Sequence, residues 1–461
     1  MSAPKGGAPG AKTRGPKERF EPARPGLASR QVATRLLSAV VDAKTSLDGL
    51  TDPSGGHPGY RALEPRDQAL VRAILATALR FRGTIEGLVS GAIERPLPEG
   101  AVSLRHLLHV GAAQILFLDV PDSAAVDLAV AAASEDPRNR RFAGLVNAVL
   151  RRIAREAVER PHLSRDPMAD MAPWLRERLT RVYGAERTGA IAAAHLTPAP
   201  IDLTVTGDPE GWAERLGGRA LPGGTVRLDR LDGPVTTLPG FEDGHWWVQD
   251  AAAAIPARLL PGIAGRRVAD LCAAPGGKTA QLAAAGARVT AFDISASRLK
   301  RLQANLTRLR LDAETRLGDI REIEPEPFDA VLLDAPCSST GTIRRHPDVG
   351  WTKSAEEVEK LARVQAGLLD RAADFVAPGG RLVFSNCSLD PAEGEAVIEA
   401  FLAAHPAFSR EPATPAELPG LARAIDARGD VRTTPDMDFG ASQGAIPGLD
   451  GFFAARLRRD A

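Results

Sequence analysis

The chain carries three cysteines, Cys272, Cys337 and Cys387, and two of them stand where a nucleophile could work. Cys337 sits in Asp334-Ala335-Pro336-Cys337-Ser338-Ser339-Thr340-Gly341, after the apolar run 328–333 (FDAVLL). Cys387 sits in Ser385-Asn386-Cys387-Ser388-Leu389, after the run 380–384 (GRLVF). Both runs read as parallel strands, so both thiols fall just beyond strand ends, among polar residues. Ligand sites of open α/β sheets lie there. A thiolate in such a place can attack a substrate and divide one hard step into easier ones. A free thiol has a pKa of about 8.5, so the site must lower it or supply a base. Lys278 is a candidate nearby charge. Cys272 directly follows an apolar strand and reads as a small hydrophobe. An odd count without Cys-x-x-Cys spacing argues against a disulfide framework and a zinc centre, so no metal site is expected.

A second constellation precedes the pair. Residues 267–271 (RVADL) read as a strand. Cys272, Ala273, Ala274, Pro275, Gly276, Gly277 and Lys278 follow, and an apolar helical run 280–285 comes next. Strand, glycine-bearing turn and helix make the first crossover of a nucleotide-binding fold. Gly276 and Gly277 let the backbone approach a ligand closely. Amides at the helix N-terminus then offer donors to a carboxylate or phosphate. The stretch is neither GxGxxG nor a Walker A loop, which weakens dinucleotide and ATP readings. The strand 287–292 closes on Asp293, and Asp319 follows 314–318. Acids at successive strand ends (Asp270, Asp293, Asp319) can hold the amine, ribose and adenine of S-adenosylmethionine. Asp334 joins this cofactor-side set and is also placed to hydrogen-bond or protonate a substrate base.

The elements around these residues divide the 461-residue chain. Residues 1–27 form a basic, Pro/Gly-rich tail, with ten Pro or Gly in the first 26 positions. Such a segment buries too little apolar area to offset its ordering entropy, and disorder is expected. Residues 28–160 read as helices. Val71, Ile74, Leu75 and Ala78 share one face, as do Phe142, Leu145, Val146, Val149, Leu150 and Ile153. Ser123 is an expected N-cap. Arg138, Arg140, Arg141, Arg151, Arg152 and Arg155 cluster around the last helix, where Arg could grip phosphate bidentately. Residues 161–245 read as a small connecting α+β domain, with a helix over 166–182 and a strand over 201–206. From residue 246 to 461 strands and helices alternate, the sign of a parallel sheet. Residues 405–445 read as loop, and 451–458 as a terminal strand. Lys+Arg and Asp+Glu both number 58, which excludes a uniformly basic coat and leaves room for a local basic patch. No apolar run approaches the roughly 20 residues of a membrane helix, and the N-terminus lacks the apolar core of a signal peptide.

Two resemblances follow from these stretches. The runs 63–82 (LEPRDQALVRAILATALRFR), 104–125 and 144–152 (GLVNAVLRR) resemble the NusB-type RNA-binding bundle. CAAPGGKT, DAPCSSTG and NCSLDPAEGE resemble the cofactor loop and two cysteine motifs of the Nop2/Sun-type RNA cytosine-carbon-5 methyltransferases. The resemblance implies an all-α NusB-like bundle followed by an α/β Rossmann-like methyltransferase. It implies methyl transfer from S-adenosylmethionine to a cytosine of 16S rRNA. Addition of a thiolate to carbon 6 would make carbon 5 nucleophilic towards the methyl group. A base in a hairpin loop is expected, because it can be splayed into a pocket cheaply. The resemblance makes Cys387 the nucleophile and Cys337 the residue that assists product release. Position alone does not rank the thiols, and DNA cytosine methyltransferases use the Pro-Cys motif instead. Arg344, Arg345 and His346 are expected either to meet phosphate or to be a solvated loop. The chain departs from the family at Asn386 (usually Thr), at Ala392 (often acidic), and at Leu203-Thr204-Val205-Thr206, where an Arg-Val-Asn strand is usual. A cytoplasmic monomer is expected. Two alternatives stay open: the same chemistry on tRNA, or a non-catalytic RNA-binding assembly factor.

Overall fold

The structure is a computed structural model that describes residues 24–159, 166–231, 233–439 and 447–461. Most of the tail expected at 1–27 lies outside these residues.

The N-terminal part is helical. The helix Pro65–Arg80 buries Val71, Ile74, Leu75 and Ala78 completely, as the periodicity predicts. It breaks at Phe81, and a second helix, Arg82–Gly91, follows. The helix Ala143–Glu159 buries Val146, Val149, Leu150 and Ile153, while Phe142 and Leu145 are half-buried at its edge. Helices Leu27–Val41, Val102–Phe117 and Asp122–Glu135 complete one continuous core with these. Ser123 does not cap its helix. Pro121 occupies the cap position, so Ser123 falls inside the first turn.

The segment that follows carries a longer helix than expected, Pro173–His195, with a non-helical break at Gly184. Asp166 instead accepts from the Met168 N–H at 2.9 Å, at the start of a short 3-10 turn. A small antiparallel sheet comes next: β1 (Ile201–Val205), β2 (Arg219–Leu221), β3 (Thr225–Leu228) and β4 (Trp246–Val248), in the order β2-β3-β1-β4. Its last strand thus lies past position 245.

The large sheet contains β5 (Arg267–Leu271), β6 (Arg288–Asp293), β7 (Glu314–Leu317), β8 (Phe328–Asp334), β9 (Val376–Asn386), β10 (Phe408–Arg410), β11 (Val431–Thr433) and β12 (Phe452–Arg459). The order is β10-β12-β9-β8-β5-β6-β7, with β11 on β12. Strands β5 to β9 run parallel, and β12 closes antiparallel on β9. The inner parallel strands β5 and β8 are buried on both faces, which their near-continuous apolar runs reflect, while the edge strand β7 stays largely exposed. Residues 405–445 are not loop alone, since β10 and β11 lie within them. At three residues each, both are too short for a periodic signal.

Residues 340–352, directly after the Cys337 loop, seat the helical part on the sheet. The Leu47 N–H donates to Asp348 Oδ2 at 2.9 Å, and Trp351 Nε1–H donates to the Leu79 carbonyl at 3.0 Å. Trp351 packs on the helical core, beneath the Arg82 guanidinium 5.5 Å from its ring.

Candidate active site

Parallel neighbours β8 and β9 place Asp334 opposite Ser385 in register. Their loops leave the same edge of the sheet side by side. Backbone bonds stitch them together: the Ala335 N–H donates to the Ser385 carbonyl at 2.8 Å, and the Gly341 N–H to the Cys387 carbonyl at 2.9 Å. The Sγ atoms of Cys337 and Cys387 are 3.4 Å apart. With Cys337 as donor, this hydrogen bond holds Cys387 below the ordinary thiol range, assisted by Ser339 and Lys278 against burial and the Asp334 charge. The same contact with Cys387, then burial, raises Cys337 well above that range. The contact therefore favours ionisation of Cys387 over that of Cys337.

Lys278 does not touch either sulfur directly. Its Nζ donates to Asp334 Oδ2 at 2.7 Å and lies 4.8 Å from the centre of the Phe452 ring. Ser385 Oγ donates to the other Asp334 oxygen at 3.0 Å. Asp334 is thus fixed by a cation and a hydroxyl and keeps an open face.

Both cysteines open into a cavity of about 340 Å³. Cys272, Ala274, Asp293, Asp319 and Asp334 line it too, with Phe292, Ile294, Ile320, Val364 and Leu368 as apolar walls. Ala273, Pro275, Gly276, Gly277 and Lys278 are not among the residues that line it. The Ala274–Pro275 peptide bond is cis, and Cys272 has φ 61°. Burial pushes the Cys272 thiol up to about 12, which leaves it an unreactive small side chain. Gly276 has φ +103°, and a Cβ there would lie 2.6 Å from Leu302 Cγ. Backbone conformation and packing against Leu302 both call for glycine there. Asp270 is also not among the lining residues. Thr279 Oγ1 donates to one of its oxygens at 2.6 Å, the other has no partner, and burial pushes the carboxyl up to about 7.

The lining fits S-adenosylmethionine. Asp293 accepts the Ala274 N–H at 3.1 Å and the Ser295 N–H at 2.8 Å, which aims its carboxylate over the end of β6. Asp319 accepts the Arg321 N–H at 3.0 Å and its guanidinium, which holds the carboxyl below its ordinary range. These acids can accept ribose hydroxyls and an amine, and the apolar walls suit a purine. The cations in the lining, Arg298 and Arg321, are each paired with one of these acids. Among the described residues, no cluster of His, Cys, Asp and Glu is arranged to hold a metal ion, and no helix is long and apolar enough to cross a membrane.

Three expectations change. Arg344 and Arg345 are not free to meet phosphate. Arg345 donates to Asp250 at 2.6 Å, Asp450 at 2.9 Å and the Pro200 carbonyl at 2.9 Å. Arg344 is buried, 2% exposed. His346 pairs with Asp48 of the helical part at 3.2 Å, and that hydrogen bond raises its pKa. The buried carboxylates Asp250 and Asp450 draw Arg345 inward, a pairing invisible to local sequence. Thr204, in the stretch where an Arg-Val-Asn strand is usual, is buried and donates to Gln249 Oε1 at 2.8 Å. Asn386 bridges the Ser388 N–H, at 3.0 Å, and the Glu393 carbonyl. Glu393 was missed as a site residue. The only signal for it was its place in NCSLDPAEGE.

Comparison with known proteins agrees with this architecture. Residues 258–458 match the 16S rRNA methyltransferase RsmB/F family, and residues 27–155 match the NusB family. The chain is 40% identical over 451 residues to ribosomal RNA small subunit methyltransferase B of Xylella fastidiosa, covering 94% of this chain and 99% of the relative. It is 35% identical over 430 residues to the Vibrio vulnificus protein of the same name, covering 89% and 97%. The crystal structure of PH0851 shares the fold with a TM-score of 0.69 and 23% identity, over 95% of this chain and 99% of that one. With this overlap along nearly its whole length, the chain belongs to the ribosomal RNA small subunit methyltransferase B family and is an S-adenosylmethionine-dependent RNA methyltransferase.

Proposed function

We propose that this protein methylates carbon 5 of a cytosine in a hairpin loop of 16S rRNA, through a covalent bond between Cys387 and carbon 6. The observation that carries the proposal is the cysteine pair. Two thiols 3.4 Å apart, with ionisation favoured at Cys387, open into the cavity lined by the cofactor-side acids.

Asp293 and Asp319 would hold the ribose and adenine, with Ala274 and Cys272 against the cofactor. When bound, S-adenosylmethionine supplies the electrophilic methyl group for carbon 5. The chain's own residues prepare the base. The Cys387 thiolate adds to carbon 6, and its lone pair becomes the new carbon–sulfur bond. Asp334, fixed by Lys278 and Ser385, holds a proton at the cytosine ring nitrogen, which accepts the electron density displaced from the ring. Carbon 5 becomes nucleophilic as a result.

Release is the task of Cys337. Its high pKa comes first from its hydrogen bond to the Cys387 sulfur. Once Cys387 is a neutral thioether, that influence is gone and Cys337 gives up its proton more easily. Cys337 then loses its proton to water, and its thiolate takes the carbon 5 proton; the carbon–hydrogen electron pair forms the ring double bond as the carbon–sulfur bond breaks, which restores the Cys387 thiolate and the Cys337 thiol. In this reading the chain divides into a helical RNA-binding part over 28–160, a connecting part over 161–245 whose sheet takes its last strand from 246–248, and a catalytic part beyond. The protein works on RNA in the cytoplasm as a monomer. Bisulfite mapping of 16S rRNA from cells with and without this enzyme tests the proposal. One cytosine should lose its methyl group in the knockout, and an unchanged map overturns it.

A further inference from the structure

Glu393 ends the 3-10 turn Pro391–Glu393, is fully buried, and does not line the cavity. It nevertheless touches both cysteine loops. Its carboxylate accepts the Ser338 N–H at 2.8 Å and the Ser388 hydroxyl at 2.6 Å, along with the Ser338 hydroxyl. Its backbone carbonyl accepts the Asn386 side-chain amide. Gln365, on the helix Ala355–Ala373, donates to the carboxylate at 3.0 Å and to the Pro336 carbonyl at 2.9 Å. Pro336 and Ser338 flank Cys337, and Asn386 and Ser388 flank Cys387. Every residue adjacent to either cysteine is therefore bonded to Glu393 or to its partner Gln365.

We propose that Glu393 is a positioning residue for the methyl transfer: its carboxylate ties the two cysteine loops to each other and sets the separation of the two sulfurs. The proposal rests on the reading of Cys337 and Cys387 as the reacting pair. Four donors converge on one buried acceptor, so neither loop can shift without losing a bond in a place water does not reach. Besides backbone bonds, the loops share the sulfur–sulfur contact, the hydroxyl contacts of Ser338 and Thr340 with Ser388, and the bond from the Leu389 N–H to Thr340. Thr340 Oγ1 also meets both serine hydroxyls, at 3.4 and 3.3 Å, but Glu393 is the carboxylate on which all four donors converge. The negative charge of Glu393 also contributes to keeping Cys337 protonated. Its neighbour Ala392, often an acid in the family, contributes only its backbone N–H to the turn, donated to Asp390 at 2.9 Å.

The test uses phenylarsine oxide, which binds tightly only where two thiols can bridge one arsenic atom, alongside steady-state kinetics. Glu393→Ala should weaken arsenical binding at least about tenfold, because the bidentate advantage is lost. It should lower kcat about 100-fold, the scale of a misplacement near 1 Å, with KM for RNA and the affinity for S-adenosylmethionine unchanged. Glu393→Gln keeps the shape and one acceptor, and should restore most of both. If Glu393→Ala does not fold, Glu393→Asp decides the matter, since a shortened side chain must part the loops or leave the serines unpaired. Wild-type arsenical binding and kcat in the Ala or Asp variant overturn the proposal. So does a failure of Gln to rescue together with equal losses in melting temperature and cofactor affinity, which would make the role structural only. Turnover by Cys387→Ala would defeat the catalytic reading instead, and the arsenical result still decides whether Glu393 spaces the sulfurs.

Discussion

The Sγ atoms of Cys337 and Cys387 lie 3.4 Å apart across loops that follow parallel neighbouring strands, and their hydrogen bond lowers the pKa of Cys387 while raising that of Cys337. The two residues should therefore fail differently when replaced. Cys387→Ala should lower turnover at least about 10³-fold and abolish covalent capture of RNA. Cys337→Ala should instead accumulate a protein–RNA adduct that survives denaturing gel electrophoresis. The opposite pattern on the gel would reverse the two roles.

The same contact predicts a pH profile. Because Cys387 is held below the ordinary thiol range, its thiolate persists at pH values where a free thiol is protonated. Alkylation of Cys387 by iodoacetamide, followed by mass spectrometry, should show a midpoint below that of a free thiol. In Cys337→Ala the stabilising donor is absent, and the midpoint should move up.

Asp270 carries a buried carboxyl with one unpartnered oxygen, and burial raises it from 3.8 to about 7 despite Thr279 and Lys278. The folded protein therefore holds this proton more tightly than the unfolded chain does. Its contribution to stability is complete below 3.8 and is lost as pH rises through about 7. Asp270→Asn removes that loss, on the order of a few kcal/mol. Melting of the cofactor-free protein should show the variant gaining on the wild type as pH climbs across this window. Parallel curves would refute the assignment.

Gly341 faces Gly451 in a close backbone approach, where a Cβ would lie 2.0 Å from the Gly451 carbonyl oxygen. Backbone lies on both sides, so no side chain can yield. Gly341→Ala should destabilise the protein by about 1–3 kcal/mol and lower activity, since the same residue donates to the Cys387 carbonyl. Denaturant unfolding and single-turnover kinetics measure the two effects.

The arginines separate into two kinds. Arg345→Ala breaks buried pairs with Asp250 and Asp450 and should cost about 3–5 kcal/mol. Arg138, Arg140 and Arg141 are exposed beside a wide groove of the helical part. Replacing all three with Ala should leave stability nearly unchanged and weaken RNA binding. The slope of log affinity against log salt should fall by about 2–3 if each meets one phosphate. An unchanged slope would remove this face from the RNA contact.

Much of this protein is local, and its sequence determined that part unaided. Helical periodicity put Val71, Ile74, Leu75 and Ala78 in one core, because burial follows the 3.6-residue repeat wherever a helix has one partner. Strand-end positions marked Cys337, Cys387, Asp293, Asp319 and Asp334 as neighbours of one cavity, because parallel strands with regular crossovers present their carboxyl ends together. What needed the tertiary structure were contacts between groups far apart in the chain. Periodicity could not assign Arg344 and Arg345 to buried partners on three other segments, nor pair β12 with β9, nor bring Glu393 under both cysteine loops. The cysteines show the division most clearly. Sequence position brought the two thiols to one edge of a sheet and left them equal. The fold adds an asymmetry between them: the Cys337 thiol, Ser339 and Lys278 lower the pKa of Cys387, and the contact with Cys387, burial and Glu393 raise that of Cys337. Charge stabilisation depends on distances of a few ångströms between groups, and only packing sets those.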